Sequence, residues 1–301
     1  MLAPIVLFVY SRYEHTKQVV EALTGNKEAK ESVLYVYSDA AKNDKAQQGV
    51  SKVREYIHNL ADKNLFKEVI ICEADKNKGL ANSVIGGVSE VIKKYKRVIV
   101  VEDDAVCAND FLEFMNNALD FYEDNKNIWY IGGYTPDIKI PDDYNHDVFV
   151  NGRGSSYAWA TWEDRWNTVD WKVSDYSSFK HNFIKRHRFN KYGQDRSSML
   201  DAQMHGKIDS WAIRFSYSMF NHNMLAVLPI YSRIKSIGND GSGTHCENTD
   251  KYDVEIKDYG RQIILENIDV DKRISRQCAE FFKSLFIYRM RTYIKTVILN
   301  K

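Results

Sequence analysis

The sequence predicts an α/β protein built on a mostly parallel sheet with helices on both faces. Two observations carry this. Four apolar runs rich in Val, Ile and Leu recur through residues 4–104, and a segment with helical spacing follows each of them. Strict strand–helix alternation of this kind requires crossover helices, and crossovers make parallel sheets. A third observation bounds the size. The 301 residues are 44% hydrophobic with only four prolines, enough for one large core or two closely joined halves, and too few breakers for a low-complexity chain.

Each element has its own justification. Residues 4–10 (PIVLFVY) are apolar throughout, as a strand buried on both faces should be. The N-terminus lacks a basic n-region and its apolar run is short, so it reads as this first strand rather than a secretory signal. Residues 14–24 (EHTKQVVEALT) read as a helix stopped near Gly25. Strands are predicted at 32–39, 67–75 and 97–104, and helices at 45–63, 80–95 and 109–125, the last begun by an Asn cap at Asn109. After 125 the alternation stops. Residues 128–136 (IWYIGGYTP) read as a strand and turn, and 224–232 (MLAVLPIYS) as a further strand leading into a polar, Gly-rich loop at 232–252.

Composition excludes several classes. Net charge is +1, whereas a nucleic-acid binder is usually more basic, so no nucleic-acid partner is expected. Cys72, Cys107, Cys246 and Cys278 are widely spaced with no CxxC pair. Neither zinc nor a disulfide framework is indicated, and a reducing cytoplasm fits. No apolar stretch approaches the ~20 residues that span a bilayer. One tract breaks the charge balance: residues 271–301 carry eight Lys/Arg against two acids, interleaved with apolar residues at roughly helical spacing. It reads either as a terminal helix packed on the body or as a basic amphipathic helix held peripherally at an anionic membrane face.

In an open parallel sheet, ligands bind beyond the carboxyl ends of the strands. Those ends carry Ser11 and Arg12, then Ser38 and Asp39, then the polar turn 75–79, then Glu102, Asp103 and Asp104. The set suits a phosphorylated ligand with a sugar or base, held with a divalent metal. Neither GxGxxG nor GxxxxGK[ST] is present, which excludes the dinucleotide fingerprint and the P-loop. Mg²⁺ and Mn²⁺ prefer carboxylate oxygens and take one or two from protein. Strand alternation sends Glu102 and Asp104 one way and Asp103 the other. Asp104 is therefore expected to meet the metal, with Asp103 or Glu102 on sugar or water; the competing reading is a solvated acidic turn before a helix.

At this point the chain resembles glycosyltransferases of the GT-A fold, on the opening strand with YSR (10–12), the segment VEDDAVCANDFLEF (101–114) and pieces downstream. Within that group it looks most like the N-acetylglucosaminyltransferase I type and its bacterial sugar-transferase relatives. The resemblance implies a Mn²⁺ or Mg²⁺ ion on the diphosphate of a UDP-sugar, held by Asp104 with Glu102 and Asp103 near the donor sugar. It implies Ser11 and Arg12 near nucleotide and diphosphate, and Asp39 on the uracil ring. The turn KNKGLANS (76–83) resembles the family's Asn-x-Gly segment; Lys78 there is either a donor contact or part of an ordinary helix-starting loop.

The second half adds the acceptor side. GRGSSYAWATWEDRW (152–166) is dense in aromatics and small residues, and Trp159 and Trp162 suit either sugar stacking or ordinary core packing. Asp209 precedes an apolar-periodic run, so it reads as an N-cap. Its Asp-x-Trp context also resembles the family's catalytic base, which takes a proton from the attacking hydroxyl in an inverting displacement. Gly241 and its neighbouring glycines suit a loop that closes over donor, and His245 reads as an exposed loop residue or a metal or phosphate contact. The expectation is a donor-binding half (1–127), an acceptor-binding and catalytic half (128–270) and a terminal helix (271–301). Its activity would be metal-dependent inverting transfer from a UDP-sugar to a glycan or lipid-linked glycan acceptor in cell-surface glycan synthesis. A sugar-nucleotide nucleotidyltransferase is weakened by the missing glycines after strand one, and a carbohydrate-binding module explains only the tryptophans.

Overall fold

Continuous aliphatic runs become strands covered on both faces. In the computed structural model, which describes residues 1–241, 249–257, 259–284, 290 and 293–298, β1 (Ile5–Val9) has all five side chains buried. Ile5, Leu7 and Val9 point into one apolar layer with α1 (Tyr13–Thr24) and α2 (Asp44–Ala61). Val6 and Phe8 point into the opposite layer with α3 (Leu80–Tyr95). This is the period-two division a pleated strand imposes. β2 (Val33–Ser38), β3 (Glu68–Glu73) and β4 (Arg97–Glu102) complete the first half. β1 pairs in parallel with both β2 and β4, and β2 with β3.

The chain runs outward from β1 to β3 and then crosses back to β4 on the far side of β1. That reversal opens a crevice between the carboxyl ends of β1 and β4. The α/β class expected from the alternation is the one observed: a single eight-stranded mixed sheet of order β3-β2-β1-β4-β8-β6-β9-β7, flanked by helices.

The strand predicted at 97–104 ends at Glu102. Asp103 and Asp104 form a tight turn into β5 (Ala105–Cys107), which pairs antiparallel with β10 (Ile234–Ser236). α4 (Phe111–Phe121) starts after Asp110, which makes no side-chain cap bond. The buried Asn26 instead accepts from Leu112 N at 2.8 Å and donates to Ala108 O at 3.0 Å. A side chain brought from α1's end thus does the work expected of Asn109. In the second half, β6 (Ile128–Gly132) and β9 (Leu225–Pro229) are parallel, and β7 (Val148–Asn151) is antiparallel to β9. β8 (Trp159–Trp162) is antiparallel to both β4 and β6 and joins the two halves. The short helices α5 (Glu163–Trp166), α6 (Tyr176–Phe179) and α7 (Phe183–Phe189), with α8 (Arg196–Met204) and α9 (Trp211–Asn221), carry the chain between β8 and β9.

One expectation is corrected here. Trp159 and Trp162 are 0% and 2% exposed, so neither offers a ring face to a ligand. Trp159 lies among Trp211, Phe215 and Trp166 at centroid distances of 5.0, 5.2 and 5.7 Å. Trp162 stacks under the Arg165 guanidinium and donates to Leu119 O at 3.1 Å. Both are core because β8 is central. The terminal tract begins as α10 (Lys272–Phe281), which buries Ile274, Ser275 and Cys278 against the body, in keeping with the packed-helix reading over this stretch. Most of the tract beyond 284 lies outside the described residues. No helix among them is long and apolar enough to cross a membrane.

The Trp159 indole nitrogen is buried without a hydrogen-bond partner, so the ring contributes by packing alone. Trp159→Ala is expected to cost about 3–5 kcal/mol in urea unfolding, and Trp159→Phe much less. A Trp159→Ala protein of normal stability that had lost only acceptor binding would put a ligand on this ring instead.

Candidate active site

The crevice is built from strand ends. β1 gives way at Tyr10, and the Arg12 carbonyl accepts the Thr16 N–H at 2.9 Å, starting α1. This fixes the Arg12 backbone at the switch point and sends its side chain toward the end of β4. Arg12 Nη2 donates to Asp104 Oδ2 at 2.8 Å and to Asp103 Oδ1, and Nε donates to Asp103 Oδ2 at 3.4 Å. Asp103 and Asp104 therefore share one direction. The expected division, Glu102 with Asp104, fails because the strand ends before the alternation can reach 104.

Glu102 receives a hydrogen bond from the Trp211 side chain. Burial first, then repulsion from Asp104 and Asp103, pushes its carboxyl up to about 8, against the Trp211 bond and Arg12. Burial likewise pushes Asp103 above the ordinary carboxylate range, although Arg12 opposes the rise. Three acids thus share one guanidinium. Asp104 is 7% exposed and its Oδ1 has no hydrogen-bond partner. The chain after β10 covers it: Ile237 N donates to Asp104 O at 2.9 Å, and a Cβ on Gly238 would stand 2.1 Å from Asp104 Oδ2. Only glycine fits there.

These residues suit a hard divalent cation. The site is short of positive charge, and its orphaned carboxylate oxygen has no protein donor. No group of three or more His, Cys, Asp or Glu among the described residues forms a full ligand set, so most ligands would come from a bound phosphate and water, as is usual for Mg²⁺.

A cavity of about 300 Å³ opens beside this cluster, walled by Ser11, Arg12, Asp39, Glu102, Asp103 and Asp209, with Tyr10, Tyr37, Lys42 and Asn77. Asp39 closes one end as a brace. Its carboxylate accepts from the backbone N–H groups of Ala40, Lys78 and Gly79 at 2.9 Å each and from Asn77 Nδ2 at 3.1 Å. Its acceptor capacity is filled, so a base entering here meets the 77–79 turn that Asp39 holds. Lys78 contributes its N–H to this brace and its side chain is not part of the wall.

Asp209 stands at the mouth, its side chain 54% exposed and 3.3 Å from Arg214 Nη2. A Cβ on Gly79 would lie 3.7 Å from its Oδ2, so it faces the turn that Asp39 braces. It is not the helix cap. Ser210 takes that role, its hydroxyl accepting from Ile213 N at 3.3 Å. Gly241 has φ 82°, as a hinge glycine can; His245 lies outside the described residues.

No protein-family model and no curated protein sequence matches the chain. Among solved structures it is similar to S. aureus TarS, at 9% identity and a TM-score of 0.43 over 80% of this chain and 37% of that one. It is also similar to S. aureus TarS 1-349, at 10% identity and a TM-score of 0.44 over 80% and 61% respectively. The chain thus spans less than two thirds of either TarS chain, and likeness at this level assigns no activity.

Sequence reasoning brought six residues to this cavity and missed Tyr10, Tyr37, Lys42 and Asn77. Asn77 was within reach, since it lies in the turn after the third strand. Tyr37 was not, because it sits inside a strand rather than at its end.

Removing the guanidinium leaves the acids uncompensated. Arg12→Met is expected to destabilise the fold by about 3 kcal/mol near pH 8. The loss should shrink as pH falls and the carboxylates take up protons, and Mn²⁺ should restore part of it. Equal losses at pH 8 and pH 5.5 in urea unfolding would remove charge repulsion as the cause.

Proposed function

We propose that this chain is a metal-dependent inverting glycosyltransferase of GT-A arrangement, moving a sugar from a UDP-sugar to an acceptor hydroxyl in cell-surface glycan synthesis. One observation carries the reading: Arg12, Glu102 and Asp103 at the end of β4, the Asp39-braced turn and Asp209 converge on a single cavity at the switch point of the sheet, with Asp104 beside it on Arg12. A cation-bearing end, a wall carrying Tyr37 with Asn77 and Gly79, and an exposed carboxylate would take diphosphate, base and acceptor in that order.

Within this reading Arg12 orients the diphosphate, and Asp103 holds Arg12 in place. Asp104, with Oδ1 free of hydrogen bonds, would hold Mn²⁺ or Mg²⁺. Such an ion, when bound, stabilises negative charge on the leaving diphosphate. Asp209 accepts the proton of the incoming hydroxyl at a carboxylate oxygen as that hydroxyl attacks C1 from the face opposite the diphosphate. Glu102, held by Trp211, keeps its proton near neutrality and donates to a sugar hydroxyl. Burial of Trp159 and Trp162 removes the aromatic platform that a carbohydrate-binding module needs.

Asp104→Ala should abolish turnover and the Mn²⁺-dependent part of UDP binding in a thermal-shift assay while the protein stays folded. Full activity in that variant, or wild-type activity indifferent to EDTA, would take the metal out of the mechanism.

Asp209→Asn should leave UDP affinity and the start of α9 intact, because Ser210 supplies the cap. Turnover should fall by roughly 10²–10⁴-fold, the loss typical of a general base. NMR of the product should give an anomeric configuration inverted from the donor. Near-normal turnover or a retained configuration would place the base elsewhere.

A further inference from the structure

A second cavity of about 210 Å³ lies in the other half of the chain, walled by residues of the 153–157 segment, α8 and α9. Among its wall residues are Arg153, Arg196, Asp195, Ser155 and Ser216. Arg196 is 2% exposed, yet no carboxylate forms an ion pair with it among the described residues. Its Nη1 donates to Phe189 O at 3.0 Å and its Nη2 to Ser216 Oγ at 2.7 Å, both neutral, and the guanidinium stacks on the Phe189 ring at 4.1 Å. Its Nε is buried with no acceptor. A buried guanidinium normally has an anion against it, because an unpaired charge in the interior is costly.

The other charges on this wall deepen the anomaly. Among the described wall residues Asp195 is the one carboxylate, and Arg153 takes it, donating to Oδ1 at 2.5 Å and Oδ2 at 3.0 Å. Its guanidinium also stacks at 3.6 Å on Phe282, just past α10. Room for it is made by Gly193, where a Cβ would stand 2.2 Å from Arg153 Nη1. Two guanidiniums therefore face one acid. Burial, with repulsion from Arg153, lowers the proton affinity of Arg196 to about 9 even with Asp195 nearby, a further sign that the wall lacks negative charge.

We infer that this cavity is an oxyanion-binding subsite, in which Arg196 and Arg153, with the Ser155 and Ser216 hydroxyls, take a phosphate or carboxylate group of a small polar ligand. The site stands without the donor reading; if that reading holds, the charged group belongs to the acceptor. Arg196 Nε is the donor left without an acceptor, and Arg153, although bidentate on Asp195, adds a second positive charge that both oxyanions favour.

The test uses the full chain and measures binding of inorganic phosphate, glucose 6-phosphate and glucuronate, with glucose as the neutral control. The Arg Nε–H resonances report where each ligand sits. Arg196 Nε–H should shift on binding of at least one anion and not with glucose, and the better of the two sugar anions identifies phosphate or carboxylate as the group. Arg153→Gln should weaken that binding roughly 10-fold or more, as loss of a charge-assisted hydrogen bond implies. Asp195→Asn, which frees Arg153, should tighten it. Arg12→Gln should leave it unchanged, which separates this site from any phosphate binding in the donor cavity; conversely, Mn²⁺-dependent UDP binding should survive Arg153→Gln. An Arg196 Nε–H that no anion moves, or an Arg153→Gln protein that binds as the wild type does, overturns the inference whatever becomes of the donor reading.

Discussion

The reach of Arg12 across the switch point is the interaction on which the site depends. β1 and β4 are parallel neighbours in register, with Phe8 beside Glu102, so the residues after each strand emerge side by side with no strand between them. Three carboxylates placed there would repel one another and the fold would lose them. Arg12, anchored by the first turn of α1, binds two of the three and leaves the third to Trp211. The compensation is incomplete: one positive charge stands against three acids, one of which stays protonated near neutrality. A site with that imbalance favours a ligand that arrives with a cation, and this is a physical reason for the metal and phosphate of the proposed function.

How much of this was legible follows from whether each feature is local. The first four strands announce themselves by unbroken apolar runs, and the ends of those runs locate Arg12, Asp39 and the acidic triplet without any knowledge of pairing. Features that depend on partners distant in sequence were not legible. The segment 152–166 is dense in aromatics and small residues, and only its pairing with β4 and β6 makes β8 central and its tryptophans core. Asp209 and Ser210 are both good caps, and chain order cannot tell which hydrogen-bonds Ile213. Asn26 serves α4 from the turn that follows α1, a substitution for the local cap that no window around residue 109 contains.

Asp39 illustrates a strand-end residue that lines the cavity with its carboxylate already engaged. Its carboxylate was expected to face a base directly. Instead, four donors from residues 40 and 77–79 fill it, so its effect on a ligand runs through the turn it holds. A braced turn positions backbone groups more rigidly than a free side chain would, because its geometry is fixed before the ligand arrives.

Helix α9 ties the two cavities together. Asp209, two residues before Trp211, stands at the mouth of the first, while Ala212, Ile213 and Ser216 line the second. The same helix packs Trp211 and Phe215 into the aromatic core under β8. One rigid element therefore sets a carboxylate at one site and the Ser216 partner of Arg196 at the other. In the proposed transferase, a group anchored by Arg196 would be held at a fixed place along α9 relative to Asp209. An anchor of that kind selects which hydroxyl of an acceptor reaches the base, because a rigid scaffold between charge and base converts binding into orientation. Specificity for the acceptor would then reside in the spacing between an anionic group and the reacting hydroxyl, a property of the ligand's length that the buried guanidinium measures.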